Sequence, residues 1–308
     1  MKVAVTGATG FIGGALCNKL VKDHNVIALT RNPEKASALL DKAVEIIKWN
    51  PNMPDGWEKS LENSDAIVNL AGTNIASKRW TKNLKTEILN SRINASRILI
   101  QAIKNSQAKT KVVITASAIG FYGNRADEKL SEESRGGDGF LAGVAREIED
   151  CSREFETLGL RSAVIRTGVV LGASGGALPK MITPFKFYLG GHWGSGNQWM
   201  SWISLVDEVA AIQFLIENAN LYGVFNLTSP EPLRNRQFFQ VLASELKKPC
   251  WLPIPAFALK IIFRQMATEL FLVSQRVYPK KLLDAGFKFE NPELKNALES
   301  IKFEGNKS

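Results

Sequence analysis

The stretch that decides the fold lies near the start of the chain and reads Thr6-Gly7-Ala8-Thr9-Gly10-Phe11-Ile12-Gly13. It follows Lys2–Thr6, a β-branched run typical of a buried strand, and it opens a helical pattern. Each glycine has a steric reason. Gly7 permits a tight turn, Gly10 lets a ligand approach the backbone, and Gly13 lets the helix pack close to the strand. The stretch therefore predicts the first strand–turn–helix unit of a parallel sheet.

The same alternation continues through the first two-thirds of the chain. Strands are predicted at Lys2–Thr6, Asn25–Thr30, Asp65–Leu70, Lys111–Thr115 and Arg161–Arg166, with helices at Phe11–Lys22, Trp80–Lys104 and Phe140–Leu158. This order predicts an α/β fold: a Rossmann-type doubly wound parallel sheet with a smaller, mostly helical C-terminal lobe. We place the first domain at residues 1–171, with strand 222–228 returning to it, and the second at 172–308.

Composition and cysteine usage narrow the class of protein. The chain has 308 residues, 45% hydrophobic and 22% charged, as in an ordinary globular protein. Its three cysteines lie far apart without a CxxC pair, which indicates a reducing compartment, and two histidines argue against a metal site. No signal-peptide pattern precedes the first strand, so we expect a cytoplasmic location, or a stromal one after processing.

The net charge of +9 is concentrated in two segments. Residues 73–104 carry seven basic side chains and one acidic one, and residues 247–288 carry eight and two. The first segment adjoins the predicted cofactor cleft and favours a small anionic partner. The second has no nucleic-acid motif beside it and stays unexplained. Its amphipathic stretch Phe257–Val273 either packs on its own lobe or forms a dimer face. We expect no nucleic acid and no membrane as partners, and the sequence does not establish an oligomer.

The glycine loop and the second predicted strand together indicate the cofactor. A helix N-terminus offers free N–H groups to phosphates, so Thr9, Phe11 and Ile12 are expected beside a pyrophosphate with the three glycines. An acid at the end of the second strand would bind the ribose hydroxyls of NAD. Here that position holds Thr30-Arg31, and an arginine attracts a 2′-phosphate. NADP(H) is favoured, unless Arg31 is only a solvated arginine after a strand.

Further cofactor contacts are expected after the third predicted strand. Asn69-Leu70-Ala71-Gly72 is small enough to lie against a ribose and nicotinamide, or else fixes a tight turn. Arg79 lies just beyond it and is a candidate pocket residue. Arg92 falls within the apolar stripe of the predicted helix, where an unpaired guanidinium is costly. Its partner is either a protein carboxylate, a cofactor phosphate or an acidic substrate.

The sequence resembles the short-chain dehydrogenase/reductase superfamily, in its extended branch of nucleotide-sugar epimerases and dehydratases. More closely it is similar to the divergent group labelled epimerase-family or nucleoside-diphosphate-sugar-epimerase-like proteins. The resemblance rests on the glycine loop, Thr115-Ala116-Ser117-Ala118, Phe121-Tyr122-Gly123, Arg166-Thr167-Gly168-Val169-Val170-Leu171-Gly172, Gln198-Trp199-Met200-Ser201-Trp202-Ile203 and Phe225-Asn226-Leu227-Thr228-Ser229-Pro230. It implies a Rossmann domain that binds NADP(H), with Thr115 beside the cofactor, and a C-terminal substrate lobe.

The chain departs from the superfamily in its catalytic signature. That signature pairs a serine or threonine with Tyr-x-x-x-Lys, whose lysine lowers the tyrosine pKa for proton exchange. This chain contains no Tyr-x-x-x-Lys, and an alignment on Glu149 puts Leu141 and Ala145 at those two positions. Ser117 matches the active-site serine, or is a turn serine. Tyr122 is a candidate acid/base, or lines the pocket or packs.

Two functional hypotheses follow from these observations. The first is an NADP(H)-dependent oxidoreductase or epimerase that acts on a small sugar-like or anionic substrate, with Ser117 and Tyr122 as catalytic candidates. The second is a catalytically inactive NADP(H)-binding regulatory or interaction protein, because the tyrosine–lysine pair is missing.

Overall fold

A computed structural model describes residues 1–105 and 109–301. In chain order the strands are β1 (Lys2–Thr6), β2 (Asn25–Thr30), β3 (Glu45–Lys48), β4 (Ala66–Asn69), β5 (Val112–Ala118), β6 (Lys129–Leu130), β7 (Arg161–Thr167), β8 (Val169–Leu171), β9 (Trp199–Met200), β10 (Trp202–Ser204), β11 (Gly223–Leu227), β12 (Leu233–Arg234) and β13 (Arg276–Val277). The helices are α1 (Phe11–Leu20), α2 (Pro33–Leu39), α3 (Lys82–Asn105), α4 (Phe140–Thr157), α5 (Leu178–Lys186), α6 (Leu205–Glu217), α7 (Asn235–Glu245), α8 (Ala256–Phe263), α9 (Lys280–Asp284) and α10 (Leu294–Ser300).

Seven strands form one sheet in the order β11-β7-β5-β4-β1-β2-β3. β1 pairs in parallel with both β2 and β4, so that Val3 lies between Val26 and Ala66, and Thr6 lies beside Asn69. The strand order reverses at β1, and the loops that follow β1 and β4 therefore diverge. Ligands of doubly wound sheets bind in the crevice outside the carboxyl ends of the strands at such a reversal. The Rossmann-type sheet predicted from the sequence is confirmed.

Two elements near the glycine loop were not predicted, namely β3 and α2. Helix α2 begins where Asn32 caps it: the Asn32 Oδ1 accepts a hydrogen bond from Lys35 N at 3.0 Å, and Pro33 occupies the first turn. Proline is favoured at that position because its missing N–H has no helical partner there. The cap therefore sets the direction of the chain directly after β2.

The chain divides into two compact units that interleave along the sequence. The first unit contains residues 1–117, 144–165 and 209–225, and the second contains 118–143, 166–208 and 226 onward. This division differs from the expected boundary at residue 171, because 118–143 belongs to the second unit and 209–225 to the first. The expected end of the second domain at residue 308 lies outside the described residues.

The second unit has its own hydrophobic core and short strand pairs. One cluster includes Phe185, Trp202, Phe238, Phe239 and Leu298, all nearly or fully buried. Three two-stranded pairs, β8 with β10, β9 with β12 and β6 with β13, belong to this unit. Helices α7 to α10 make its C-terminal region helical, as the sequence predicts, and the three short strand pairs are an addition that the sequence did not reveal. Among the described helices, none is both long and apolar enough to cross a bilayer.

Candidate functional site

The glycine loop has the close packing that its sequence predicts. Gly7 has a φ of +67°, and a Cβ there would lie 2.6 Å from Leu70 O. A Cβ on Gly13 would lie 2.3 Å from Gly7 O, so α1 packs directly against the turn. Backbone atoms occupy both positions, and a larger residue has no room at either. The loop is held further by a hydrogen bond of 2.8 Å from Gly10 N to Gly7 O.

A cavity of about 830 Å³ opens beside this loop, within the first unit. That volume lies in the range of roughly 300–1,000 Å³ found for small-molecule and cofactor sites. Eight of the residues predicted to hold a cofactor line it: Gly7, Thr9, Gly10, Thr30, Arg31, Leu70, Ala71 and Gly72. The structure thus brings the glycine loop, the end of β2 and the end of β4 to one cavity.

Two basic residues and Asn32, the N-cap of α2, lie at the end of this cavity next to β2. Arg31 and Lys35 both line it and are exposed, and neither side chain forms a hydrogen bond or ion pair with another described residue. The Thr30 hydroxyl is turned to the local backbone instead, where it accepts from Asn32 N at 3.2 Å. The positive charge next to the end of β2 is therefore available to an anion.

A polar face of α3, which was not predicted from the sequence, forms another wall of the cavity. Asn83, Glu87, Asn90 and Asn94 follow one another at spacings of four, three and four residues, which places them on one side of the helix. The same wall includes Thr86 and Ser91. The signal was present in the sequence, because these polar residues recur at helical spacing beside the apolar stripe of α3. Lys35, Asn32 and Trp49 are further lining residues that were not predicted.

The remaining predicted cofactor residues do not line this cavity, and their roles stay predictions. Phe11, Ile12 and Gly13 lie in the first turn of α1, and Arg79 is an exposed residue of the loop before α3. Thr115 is paired in register with Asn69 on β4 and is 1% exposed, and its hydroxyl has no hydrogen-bond partner among the residues that the structure describes.

Arg92 pins the loop that follows β4. Its Nη1 donates to Thr73 O at 3.1 Å and to Ile88 O at 2.9 Å, and its side chain covers Gly72 so closely that a Cβ there would lie 2.8 Å from Cζ. Burial lowers the pKa of Arg92 to about 10. Two backbone carbonyls thus accept hydrogen bonds from Arg92, where the sequence led us to expect a carboxylate, a phosphate or an acidic substrate, and Arg92 holds the Gly72 turn in place.

Ser117 and Glu149 form a buried pair in the first unit. The Ser117 Oγ donates to Glu149 Oε1 at 3.2 Å, from the end of β5 to the middle of α4. Both residues are less than a tenth exposed. The sequence singled out Ser117 but used Glu149 only as an alignment landmark, because 32 residues separate them. A hydroxyl hydrogen-bonded to a carboxylate can pass on a proton, and this pair is therefore a candidate for proton transfer.

Tyr122, the second predicted catalytic residue, lies in the interior of the second unit. It is fully buried, and its hydroxyl lies 2.7 Å from Asn226 Oδ1 and 3.0 Å from Ser131 O while accepting from Arg166 Nη1 at 2.9 Å. Burial raises the pKa of Tyr122, and the positive charge of Arg166 opposes that shift. These contacts fit the packing interpretation of Tyr122. A catalytic role for it stays a prediction.

Comparison with known proteins gives the family. A model of the NAD dependent epimerase/dehydratase family matches residues 3–228. The chain belongs to this family. A second model, a domain of unknown function (DUF1731), matches residues 254–301. The resemblance stated from the sequence is thereby confirmed.

Full-length relatives and a solved structure agree with this assignment. An epimerase family protein of Mycobacterium bovis is 38% identical over 297 residues, covering 96% of each chain. The chloroplastic SDR39U1 homolog of Arabidopsis thaliana is 40% identical over 308 residues, covering 98% of this chain and 86% of that protein. The crystal structure of human epimerase family protein SDR39U1 (isoform 2) with NADPH has a TM-score of 0.84 at 31% identity, covering 98% and 99% of the two chains.

Across residues 1–105 and 109–301, no group of three or more histidine, cysteine, aspartate or glutamate side chains is placed to hold a metal ion.

Proposed function

We propose that this family member is an NADP(H)-dependent oxidoreductase or epimerase that acts on a small sugar-like or anionic substrate. The observation that carries the proposal is the cavity of the first unit. There the Gly7 turn, the polar face of α3 and the exposed Arg31 and Lys35 surround a volume of about 830 Å³. The human SDR39U1 structure, which was crystallised with NADPH, supports the same cofactor.

The residues present fit this cofactor. The cradle at Gly7 has no space for a Cβ, as a site for close backbone approach requires, and the start of α1 favours negative charge. Arg31 and Lys35 would hold the 2′-phosphate, since neither has a protein partner among the residues described. A carboxylate at the Arg31 position would repel that phosphate. When bound, the nicotinamide supplies reversible hydride transfer.

Proton handling is assigned to Ser117 and Glu149. Because Ser117 Oγ already donates to Glu149 Oε1, a proton from a substrate hydroxyl can move to Ser117 Oγ while the serine proton moves to the carboxylate. The reverse transfer returns a proton to a substrate oxygen. This arrangement replaces the tyrosine–lysine pair, whose positions hold Leu141 and Ala145. Glu149 is thus a residue that acts through Ser117.

The test is a substrate panel with matched variants. Nucleoside-diphosphate sugars and small hydroxy and keto acids are incubated with the protein and NADP+ or NADPH, and the absorbance of NADPH and the sugar products are followed. Turnover is expected with at least one compound. Glu149→Gln, which keeps a hydrogen-bond acceptor and cannot take the proton, is expected to lower kcat with little change in the Kd for NADPH. No turnover across the panel contradicts the enzymatic proposal, and an unchanged kcat in Glu149→Gln contradicts the relay.

A second candidate function is a regulatory or interaction protein that binds NADP(H) without turnover. It is favoured by one observation, the apolar residues Leu141 and Ala145 at the tyrosine and lysine positions. Partner capture in the presence and absence of NADPH tests it. Partner sets that depend on NADPH, together with an inactive substrate panel, favour this function; identical sets argue against it.

The compartment also remains a proposal. The spacing of the cysteines supports a reducing compartment, and we propose a cytoplasmic or stromal location. Fractionation of cells that express the tagged chain tests it.

A further inference from the structure

Large hydrophobic side chains of the second unit are exposed on two neighbouring segments and on the helix that follows them. Their exposed fractions range from 39% to 70%. We call this set the apolar surface, and its members are Phe187, Tyr188, Leu189, Trp251, Leu252, Phe257, Ile261 and Ile262. Single exposed hydrophobic residues are normal on a protein, but a contiguous group of this size marks an interaction site.

Hydrogen bonds hold the two segments of the apolar surface side by side. Trp251 N and Leu252 N both donate to Gly190 O at 3.1 Å, and Trp251 Nε1 donates to Tyr188 O at 2.9 Å. Ile254 N then donates to His192 O at 2.9 Å, two residues before α8 begins. The exposed residues 187–189 and 251–252 therefore belong to one patch, which α8 continues.

Helix α8 presents apolar and basic side chains to solvent together. Phe257 and Ile261 are 68% and 70% exposed, and their spacing of four residues puts them on one side of the helix. Lys260 lies on the same side of α8, and Arg264 follows at its C-terminal end. Leu259, by contrast, is buried. The stretch Phe257–Val273 thus does not pack wholly on its own lobe, which was one of the two alternatives from the sequence.

Within the two segments and α8, which carry the apolar surface, the charge has a single sign. Residues 247–268 contain Lys247, Lys248, Lys260 and Arg264 and no acidic residue, and residues 178–194 contain only basic charges as well. The Lys248 Nζ lies 3.8 Å from the centre of the Tyr188 ring. This is part of the basic segment 247–288 that the sequence left without a role.

We propose that the apolar surface docks on an anionic lipid bilayer, lying in its interface. Tryptophan and tyrosine with a rim of lysine and arginine are the side chains that suit the headgroup boundary. The positive charge of this surface favours an anionic membrane over a second copy of this chain. A second copy of this chain would bring two cationic rims together, whereas anionic headgroups neutralise them. The proposal reverses the expectation of no membrane partner and is independent of the cofactor site.

Vesicle co-sedimentation of the full chain tests the proposal. Vesicles of phosphatidylcholine alone are compared with vesicles of phosphatidylcholine and phosphatidylglycerol in about a two-to-one ratio, at low and high salt. We expect retention on the anionic vesicles that falls with salt. Removing Lys247 and Lys248 together, as alanines, should weaken partitioning roughly 30-fold. Phe257→Glu with Ile261→Glu should abolish it.

The matched control is Leu39→Glu with Tyr222→Glu. These two side chains are 52% and 70% exposed in the first unit, and the pair changes the charge by the same amount. The control should bind like the wild type, and circular dichroism should show all variants folded. Equal binding to neutral and anionic vesicles, or no binding to either, overturns the proposal. A dimer in light scattering that Phe257→Glu with Ile261→Glu dissociates, without vesicle binding, overturns it in favour of a second copy.

Discussion

The cavity of the first unit and the apolar surface of the second unit both present exposed cations, but in different surroundings. Arg31 and Lys35 stand among backbone, hydroxyl and amide groups that can hydrogen-bond a phosphate. Lys260 and Arg264 stand beside exposed phenylalanine and isoleucine side chains that offer no hydrogen bonds. The same formal charge therefore suits a compact phosphate in one place and a lipid headgroup in the other. Neighbours, more than charge, determine which anion fits.

The two regions also differ in how closely they are packed. Backbone atoms fill the space around Gly7 and Gly13, whereas large side chains of α8 extend into solvent. Substitutions should thus affect stability strongly in the loop and weakly on the surface of α8.

The largest effect is expected for Gly13→Val. Its Cβ would meet Gly7 O at 2.3 Å, and the backbone can relieve that contact only by moving the loop. We expect the free energy of unfolding to fall by about 3 kcal/mol and NADPH binding to be lost. Gly14→Ala is the control, because its Cβ has no contact shorter than 3.5 Å. Thermal unfolding and NADPH fluorescence titration measure both effects. Normal NADPH binding by Gly13→Val would contradict the conclusion that the glycine loop has no room for a side chain.

A buried carboxyl group in the core of the second unit provides a contrast with the exposed side chains of the same unit. Glu208 is completely buried, its Oε1 accepts from Thr167 Oγ1 at 2.8 Å, and burial raises its pKa from 4.5 to about 8. Between these two values the folded protein keeps a proton that the unfolded chain releases, so stability falls as pH rises. Glu208→Gln should remove this loss, so that relative to pH 4 it gains on the order of 3 kcal/mol over the wild type at pH 7.

Urea unfolding of the wild type and Glu208→Gln across this pH range measures the difference. Parallel curves for the two proteins would show that Glu208 titrates normally. Thr167→Val should leave a pH dependence, since it removes a partner and not the carboxyl.

Cofactor selectivity should depend on Arg31. Arg31→Glu is expected to weaken NADPH binding roughly 10- to 100-fold, because a charge-assisted hydrogen bond contributes about 1.5–3 kcal/mol. NADH lacks the 2′-phosphate, and its binding should change much less. Lys22→Glu, an exposed charge reversal outside the cavity, is the control. Equal losses of affinity for NADPH and NADH would show that Arg31 does not bind the 2′-phosphate.

A smaller effect is expected at the cap of α2. Asn32→Ala removes the acceptor of Lys35 N and should lower the free energy of unfolding by about 1 kcal/mol. Asn32→Ser keeps a capping oxygen and should recover most of that loss. Chemical denaturation of the three proteins gives the values, and no difference between alanine and serine would argue against the cap.

The smallest effect on stability is expected on α8. Phe257→Ser with Ile261→Ser should change the free energy of unfolding by no more than about 0.5 kcal/mol for each residue, because both side chains are exposed. Leu259→Ala, in the same helix but 4% exposed, should lose roughly 2 kcal/mol. If the double serine variant loses as much free energy of unfolding as Leu259→Ala, the side chains of Phe257 and Ile261 are buried in solution and not exposed.

Much of the first unit was predictable because its signals are local. The strands Lys2–Thr6 and Asn25–Thr30 agree with the structure residue for residue, since continuous β-branched runs bounded by turns favour buried parallel strands. Helix α2 was missed, although its Asn32-Pro33 start is a known signal, because its apolar stripe is only two turns long. The second unit was less predictable, since strands of two or three residues leave almost no periodic pattern.

The sequence by itself determined the glycine turn, the parallel sheet and the position of Arg31, because steric limits on φ and side-chain periodicity act over a few residues. Only the tertiary structure decided that Ser117 meets Glu149, that residues 118–143 and 209–225 join different units, and that Phe257 and Ile261 stay exposed. Contacts between residues distant in sequence, and the solvent exposure they leave, depend on how elements pack. No local pattern encodes them.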